Sequence, residues 1–119
     1  MRLAMFNTPR STSYKAPSTP NQTLRELKNG KIPINHIIHI RGLTRDEAEE
    51  AIQPLFHKRQ KQTLYCIIHG KGLGSHNQTP VLKTWLLDIL YNHPSVLAYC
   101  PATPKDGGTG ATYVLISCR

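Results

Sequence analysis

The sequence predicts an α/β protein, a two-layer sandwich with the element order β-α-β-α-β-β. Short apolar runs rich in β-branched residues alternate with two stretches in which apolar residues recur every three or four positions. The runs are typical of buried strands, and the stretches are typical of amphipathic helices. Because parallel strands are joined by right-handed crossovers, we expect a four-stranded mixed sheet with both helices packed on one face.

The residues that begin and end each segment set the predicted elements. Thr44 and Glu47 form a capping box before the first helix, and Pro54 counts against its last turn. Thr79 and Pro80 mark the start of the second helix. The strands are predicted over residues 34–40, 63–69, 95–101 and 111–118. The predicted apolar helix faces are Ala48, Ala51, Ile52, Leu55 and Phe56 in the first helix and Leu82, Trp85, Leu86, Ile89 and Leu90 in the second.

Residues 1–33 differ in composition from the rest of the chain. The first 35 residues hold six basic side chains and one acidic side chain, and prolines and hydroxyl residues outnumber large apolar ones over residues 1–22. Such a segment buries too little surface to offset the entropy of ordering the chain. We therefore expect a basic, largely disordered N-terminal arm, with one helical turn at 23–28, before a domain over 34–119. The arm is either an electrostatic tether for nucleic acid or a tail without function.

The composition and net charge of the chain limit the classes of function that it can have. The chain has 119 residues and a formal net charge of +8, which favours a polyanionic partner, most often nucleic acid. Its apolar runs are too short to span a bilayer, and no secretory leader is evident, so we expect a cytoplasmic monomer without a membrane partner. Cys66, Cys100 and Cys118 match no metal or redox motif and are expected in the core. We assign no cofactor and no metal.

A glycine-rich loop follows the second predicted strand and is the strongest candidate for a binding site. The strand stops at His69, and Gly70, Lys71, Gly72 and Gly74 come next. Backbone amides of such a loop, with one lysine, can hold a phosphate, although the Walker spacing is absent. A tight turn without a ligand is the alternative. Because Arg41 also follows a parallel strand, we expect Arg41 and Lys71 to meet at one edge of the sheet.

Three motifs give the chain a family resemblance. Residues 38–44 (I-H-I-R-G-L-T) are similar to the L-D-L-H-G-L-T start of the small MutS-related (Smr) domain, residues 69–72 match its H-G-x-G loop, and residues 107–112 match its late glycine element. The resemblance covers roughly residues 36–117. It implies a fold like the C-terminal domain of a bacterial translation initiation factor, and nucleic-acid binding. Many members of this family have endonuclease activity, and some stand-alone members act on messenger RNA at stalled ribosomes. The resemblance implies that this chain could share these activities.

The candidate chemistry departs from the family motif, because His39 replaces its Asp and Arg41 replaces its His. Four of the seven acids lie on the first predicted helix, which argues against a two-metal nuclease. A metal-independent mechanism would use His39 or His69 as acid or base, with Arg41 and Lys71 on the phosphate. This chemistry suits RNA, whose 2′-hydroxyl can act as nucleophile. Gly107, Gly108 and Gly110 are expected to shape a loop beside the site.

Two functions remain open from the sequence. The first is an endonuclease acting on RNA or DNA, and the second is a non-catalytic module that binds nucleic acid or the ribosome. The histidines carry structural alternatives: His39 as a surface residue, and His69 as a group that hydrogen-bonds the strand end.

Overall fold

The structure is a computed structural model that describes residues 11–71 and 81–118. Within these two ranges, five strands form one mixed sheet, and three α-helices pack against it. The predicted α/β class is confirmed, whereas the numbers of strands and helices were each too low by one. In chain order the elements are β1 (Tyr14–Lys15), α1 (Asn21–Lys28), β2 (His36–His39), α2 (Arg45–Ala51), β3 (Thr63–Ile68), α3 (Val81–Tyr91), β4 (Val96–Pro101) and β5 (Ala111–Ile116).

The sheet has the strand order β1-β4-β5-β3-β2. β2 pairs parallel with β3, and β5 pairs antiparallel with both β3 and β4, so β2, β3 and β4 point the same way as predicted. The last strand lies between β3 and β4. All six of its residues are buried, and a central position is where such a strand loses most apolar surface from water.

One face of the sheet is covered by α2 and α3. Ile40, Ile52 and Leu86 belong to this core, and Trp85 packs against it as predicted. The Thr44 capping box is present, with the Thr44 amide donating to Glu47 Oε1 (2.9 Å) and the Glu47 amide donating to Thr44 Oγ1 (3.1 Å). The predicted residues Thr79 and Pro80 at the start of α3 lie outside the described residues.

The helix α2, which the sequence predicts as the first of two, ends earlier than predicted. α2 stops at Ala51, and a 3₁₀ turn follows over Gln53–Phe56 with Pro54 in its first turn. Proline lacks the amide that an α-helix would need at this position, so the chain tightens. The change of pitch moves the Phe56 side chain out of the apolar stripe, and 49% of its surface is exposed.

The opposite face of the sheet is covered by α1, so the fold has three layers and the predicted two-layer sandwich is wrong. Leu27 on α1 is buried in a second core with Cys66, Tyr113 and Leu115. The predicted disorder of the arm is likewise wrong at residues 14–15, which form β1, and at residues 21–28, which form α1. A few apolar side chains suffice there because the sheet already presents an apolar face to them. The first ten residues lie outside the described part of the chain.

The cysteines divide into two environments. Cys66 and Cys100 are buried as predicted, and burial raises the pKa of each thiol to about 11. Cys118 is exposed, because β5 ends at Ile116 and the chain leaves the sheet there. None of the helices in residues 11–71 and 81–118 combines the length and the apolar composition that a membrane span requires.

Candidate functional site

Backbone hydrogen bonds bring three segments together where β2 and β3 end. The amides of Ile40 and Arg41 both donate to the carbonyl oxygen of Ile68, at 2.9 and 3.1 Å. The amides of His69 and Gly70 both donate to the carbonyl oxygen of Gly110, at 3.0 and 2.9 Å. The end of β2, the end of β3 and the glycines before β5 therefore form one edge, as predicted. We call it the glycine-loop edge.

Arg41 lies across Gly70. Gly70 has a φ of +87°, a backbone conformation that side chains rarely adopt. A Cβ atom built on Gly70 would lie 3.1 Å from Cγ and 3.5 Å from Cδ of Arg41. The missing side chain therefore makes room for the arginine, whose side chain remains exposed to solvent.

Lys71 lies beside Gly110 in the same way. A Cβ atom on Gly110 would approach Cγ of Lys71 to 3.1 Å, and Lys71 is exposed. Gly107 adopts a φ of +124°, and a Cβ atom there would lie 2.9 Å from Cβ of Ala111. The structure thus brings Arg41 and Lys71 to the same edge, next to a compact glycine turn. The predicted residues Gly72 and Gly74 lie outside the described part of the chain.

His69 is enclosed rather than presented to solvent. Its Nδ1 lies 2.9 Å from the carbonyl oxygen of Gly70, and its Nε2 lies 2.9 Å from Oγ1 of Thr112. Because a carbonyl can only accept, Nδ1 carries the proton and Nε2 accepts from the Thr112 hydroxyl. Burial lowers the pKa of His69, the Gly70 carbonyl opposes this change, and the charge of Lys83 adds to it. A neutral imidazole with both nitrogens occupied favours the structural alternative for this residue.

His39 has the opposite environment. It is the last residue of β2, pairs with Ile68 and is exposed. Ile38 and Ile40, the residues on either side of His39, both pack into the core. Because side chains alternate along a strand, His39 points away from that core. No hydrogen bond of its side chain is found within the described residues. Of the two histidines considered for acid–base chemistry, His39 has the free imidazole.

Two contributors to this edge were missed from the sequence. Nζ of Lys83 on α3 lies 3.4 Å from the carbonyl oxygen of Thr109, which adds a third cation beside the glycines. Thr112 on β5 holds the His69 ring. Lys83 is a charged residue among the apolar residues of a helix, and Thr112 lies within an apolar strand. Neither local pattern carries a signal of proximity to the loop.

The acid nearest the glycines has a structural role. The Tyr113 hydroxyl donates to Oδ2 of Asp106 and lies 3.0 Å from Oγ1 of Thr103, which fixes the loop before β5. Among residues 11–71 and 81–118, no three His, Cys, Asp or Glu side chains are arranged to ligate a metal. The described part of the edge therefore offers exposed cations for an anion.

Comparison with known proteins identifies the family. A model of the Smr domain matches residues 38–117. The chain is 28% identical over 115 residues to the ribosome rescue factor SmrB of Yersinia pseudotuberculosis, covering 94% of this chain and 61% of that protein. It is 33% identical over 95 residues to SmrB of Buchnera aphidicola, covering 78% of this chain and 51% of that protein. The chain thus spans between about half and three-fifths of the length of these relatives.

A solved structure supports the same assignment. YdaL, a stand-alone small MutS-related protein from Escherichia coli, superimposes with a TM-score of 0.70 at 25% sequence identity. The match covers 93% of this chain and 85% of YdaL, so it includes residues before the Smr match as well as the domain itself.

Proposed function

Because this chain belongs to the Smr domain family, we propose that it is a ribosome-associated RNA-binding protein whose glycine-loop edge holds the sugar–phosphate backbone. The observation that carries the proposal is the convergence of Arg41 and Lys71 beside Gly70 and Gly110. Two exposed cations beside glycines that carry no side chain favour a phosphate ester. SmrB relatives bear the name ribosome rescue factor, which supports the ribosome as partner and the cytoplasm as location.

The binding test compares single substitutions at this edge with one elsewhere. Arg41→Gln and Lys71→Gln should each weaken binding of an unstructured RNA by about tenfold, because each removes a charged phosphate contact. Each should also lower the slope of log affinity against log salt by about one. Arg25→Gln, which removes an exposed charge from α1, is the control. Equal losses in all three variants would show that only the overall charge attracts RNA.

Cleavage of the bound RNA is a second candidate function, favoured by the free imidazole of His39. His39 would take the proton of a 2′-hydroxyl, and the 2′-oxygen would attack the neighbouring phosphorus. The bond from phosphorus to the 5′-oxygen would break, and water would protonate that oxygen. The products would be a 2′,3′-cyclic phosphate and a 5′-hydroxyl. Arg41 and Lys71 would stabilise the charge that develops on the phosphate.

The cleavage test uses two histidines of the same strand. His39→Ala should abolish cleavage and leave RNA affinity within a few-fold of the parent, whereas His36→Ala should retain both. His36 is a matched control because it is exposed on β2 and its ring lies 5.4 Å from Tyr65. A chelator should have no effect, and RNA with a 2′-deoxy sugar at the cleaved position should be resistant. If the RNA stays intact after incubation with the folded parent, the protein acts as the non-catalytic binding module instead.

A further inference from the structure

A second cationic surface lies at the opposite end of β3 from the glycine loops. Residues 55–59, which lie on the chain before β3, and residues 93–95, which precede β4, border an open groove of about 470 Å³. We call it the basal groove. Because β3 has six residues, the groove and the glycine-loop edge lie roughly 20 Å apart. The groove is therefore separate from the site already described.

Two stacked aromatic rings, which we call the aromatic platform, line the basal groove. The rings of Phe56 and His93 stack with centroids 4.8 Å apart and an angle of 19° between their planes. His93 is fixed on both sides, because its Nε2 donates to the carbonyl oxygen of Leu55 at 2.7 Å and its Nδ1 accepts from the Ser95 amide at 3.0 Å. Phe56 is 49% exposed. One face of its ring is thus covered by a rigid partner while much of the side chain remains open to solvent.

Uncompensated positive charge surrounds this platform. Arg59 has a structural role, since its Nη2 donates to the carbonyl oxygens of Pro54 and Leu55, both at 3.0 Å. His57, Lys58 and Lys61 are exposed, and no hydrogen bond or ion pair of their side chains is found in the described ranges. The sequence has no acid over residues 51–63 or 91–105. The basic cluster also follows a 3₁₀ turn rather than the end of an α-helix, so a helix dipole does not account for it.

We propose that the basal groove binds single-stranded RNA, with one base stacked on Phe56, one phosphate at Lys58 in the groove and the next phosphate at Lys61, which follows the groove residues in the chain. A ring on a rigid support beside a line of cations is the combination that single-strand binders use. A duplex would keep its bases stacked on one another, and an acidic peptide would use the charges without the ring. The inference rests on the proposed binding of RNA and adds a second contact surface to it.

The first experiment separates stacking from charge. Phe56→Leu should weaken binding of an unstructured, uridine-rich RNA by about tenfold, whereas Phe56→Tyr should bind as the parent does. Lys58→Gln and Lys61→Gln should each lower the salt slope by about one. Ile37→Ala is the control for loss of an exposed apolar side chain, since Ile37 is 56% exposed on β2. Equal affinity of the Leu and Tyr variants would overturn the proposal.

The second experiment distinguishes this inference from the proposed function. RNA carrying 4-thiouridine should crosslink under ultraviolet light to a peptide that contains Phe56, and it should still do so when Lys71→Gln has weakened the glycine-loop edge. Crosslinks confined to peptides of the glycine-loop edge would overturn the inference and leave the proposed function standing. Crosslinks at Phe56 together with full affinity of Arg41→Gln and Lys71→Gln would support the inference and overturn the proposed role of the glycine-loop edge. Displacement of the RNA by polyglutamate with no effect of Phe56→Leu would assign the groove to an acidic protein, against the proposal.

Discussion

His69 illustrates, at the scale of a residue, how burial changes the chemistry open to a histidine. Its position after a strand and before a glycine loop suggests acid–base work, yet Gly70 and Thr112 occupy both ring nitrogens. The imidazole joins β3, the loop and β5 without facing solvent. His39, which ends the neighbouring strand, keeps an exposed ring. The two histidines therefore differ in what they can do because of their surroundings rather than their spacing.

The lowered pKa of His69 predicts a pH-dependent stability. The folded chain binds this proton less readily than the unfolded chain, so the stabilisation is present above the ordinary pKa of 6.5 and is lost as pH falls below it. The free energy of unfolding should fall by up to about 1.4 kcal/mol per pH unit in that window. Urea denaturation at pH values of about 7.5 and about 5.5 measures the change.

A His69→Gln variant is the control for this prediction. It should be less stable than the parent at neutral pH, because the Gly70 carbonyl and the Thr112 hydroxyl lose their shared partner. Its stability should nevertheless decline less between the two pH values. A decline as steep as that of the parent would assign the pH dependence to other groups.

At the scale of an element, the glycine loops differ in which side chains pack against them. Gly70 and Gly42 both have positive φ angles, +87° and +81°. A Cβ atom on Gly70 would meet the Arg41 side chain, whereas a Cβ atom on Gly42 would have no heavy atom of the described residues within 4 Å. The two positions therefore separate the effect of backbone strain from the effect of displacing Arg41.

Substitution of each glycine by alanine tests that separation. Gly70→Ala and Gly42→Ala should each lower the free energy of unfolding by about 1–2 kcal/mol, because both force alanine into the left-handed region. Only Gly70→Ala should also weaken RNA binding, by about tenfold, since it displaces Arg41 from the phosphate. Thermal unfolding and RNA titration of both variants give the two measurements. Equal affinities would mean that Arg41 does not need its place over Gly70.

At the scale of the whole molecule, the sheet is buried on both faces. α2 and α3 cover one face, and α1 covers the other with Leu27 as its most buried side chain. Tyr14 on β1 extends this arrangement by stacking on Tyr99, with ring centroids 5.3 Å apart. Residues 14–28 are therefore part of the folded unit, although the Smr match itself begins at residue 38.

Two substitutions on α1 test whether the folded unit includes this helix. Leu27→Ala should lower the free energy of unfolding by about 2–5 kcal/mol, because it leaves a cavity against the sheet. Arg25→Ala, on the exposed side of the same helix, should change it by less than about 0.5 kcal/mol. Denaturant titration of both variants compares them. Similar small changes in the free energy of unfolding of both variants would mean that the folded domain begins at residue 34, as the composition predicts.

The local features that the sequence predicts are those fixed by short-range rules. The capping box at Thr44 and the helical turn now seen as α1 are confirmed, and the strand predicted over residues 63–69 is confirmed as Thr63–Ile68. The family resemblance is confirmed by the match over residues 38–117. Phe56 was misplaced because one proline changed the pitch of its turn. The arm was misjudged because composition does not show that a preformed apolar face is available.

Local patterns were enough to predict the α/β class, the order of the elements over residues 34–118 and the presence of cations and glycines at two strand ends. Spacing and capping are properties of neighbouring residues, so they can be deduced one segment at a time. The folded chain was needed to show that Lys83 reaches the glycine loop, that Thr112 holds His69 and that Phe56 stacks on His93. Those contacts join residues far apart in the chain, and they exist because strand order and burial bring the segments together.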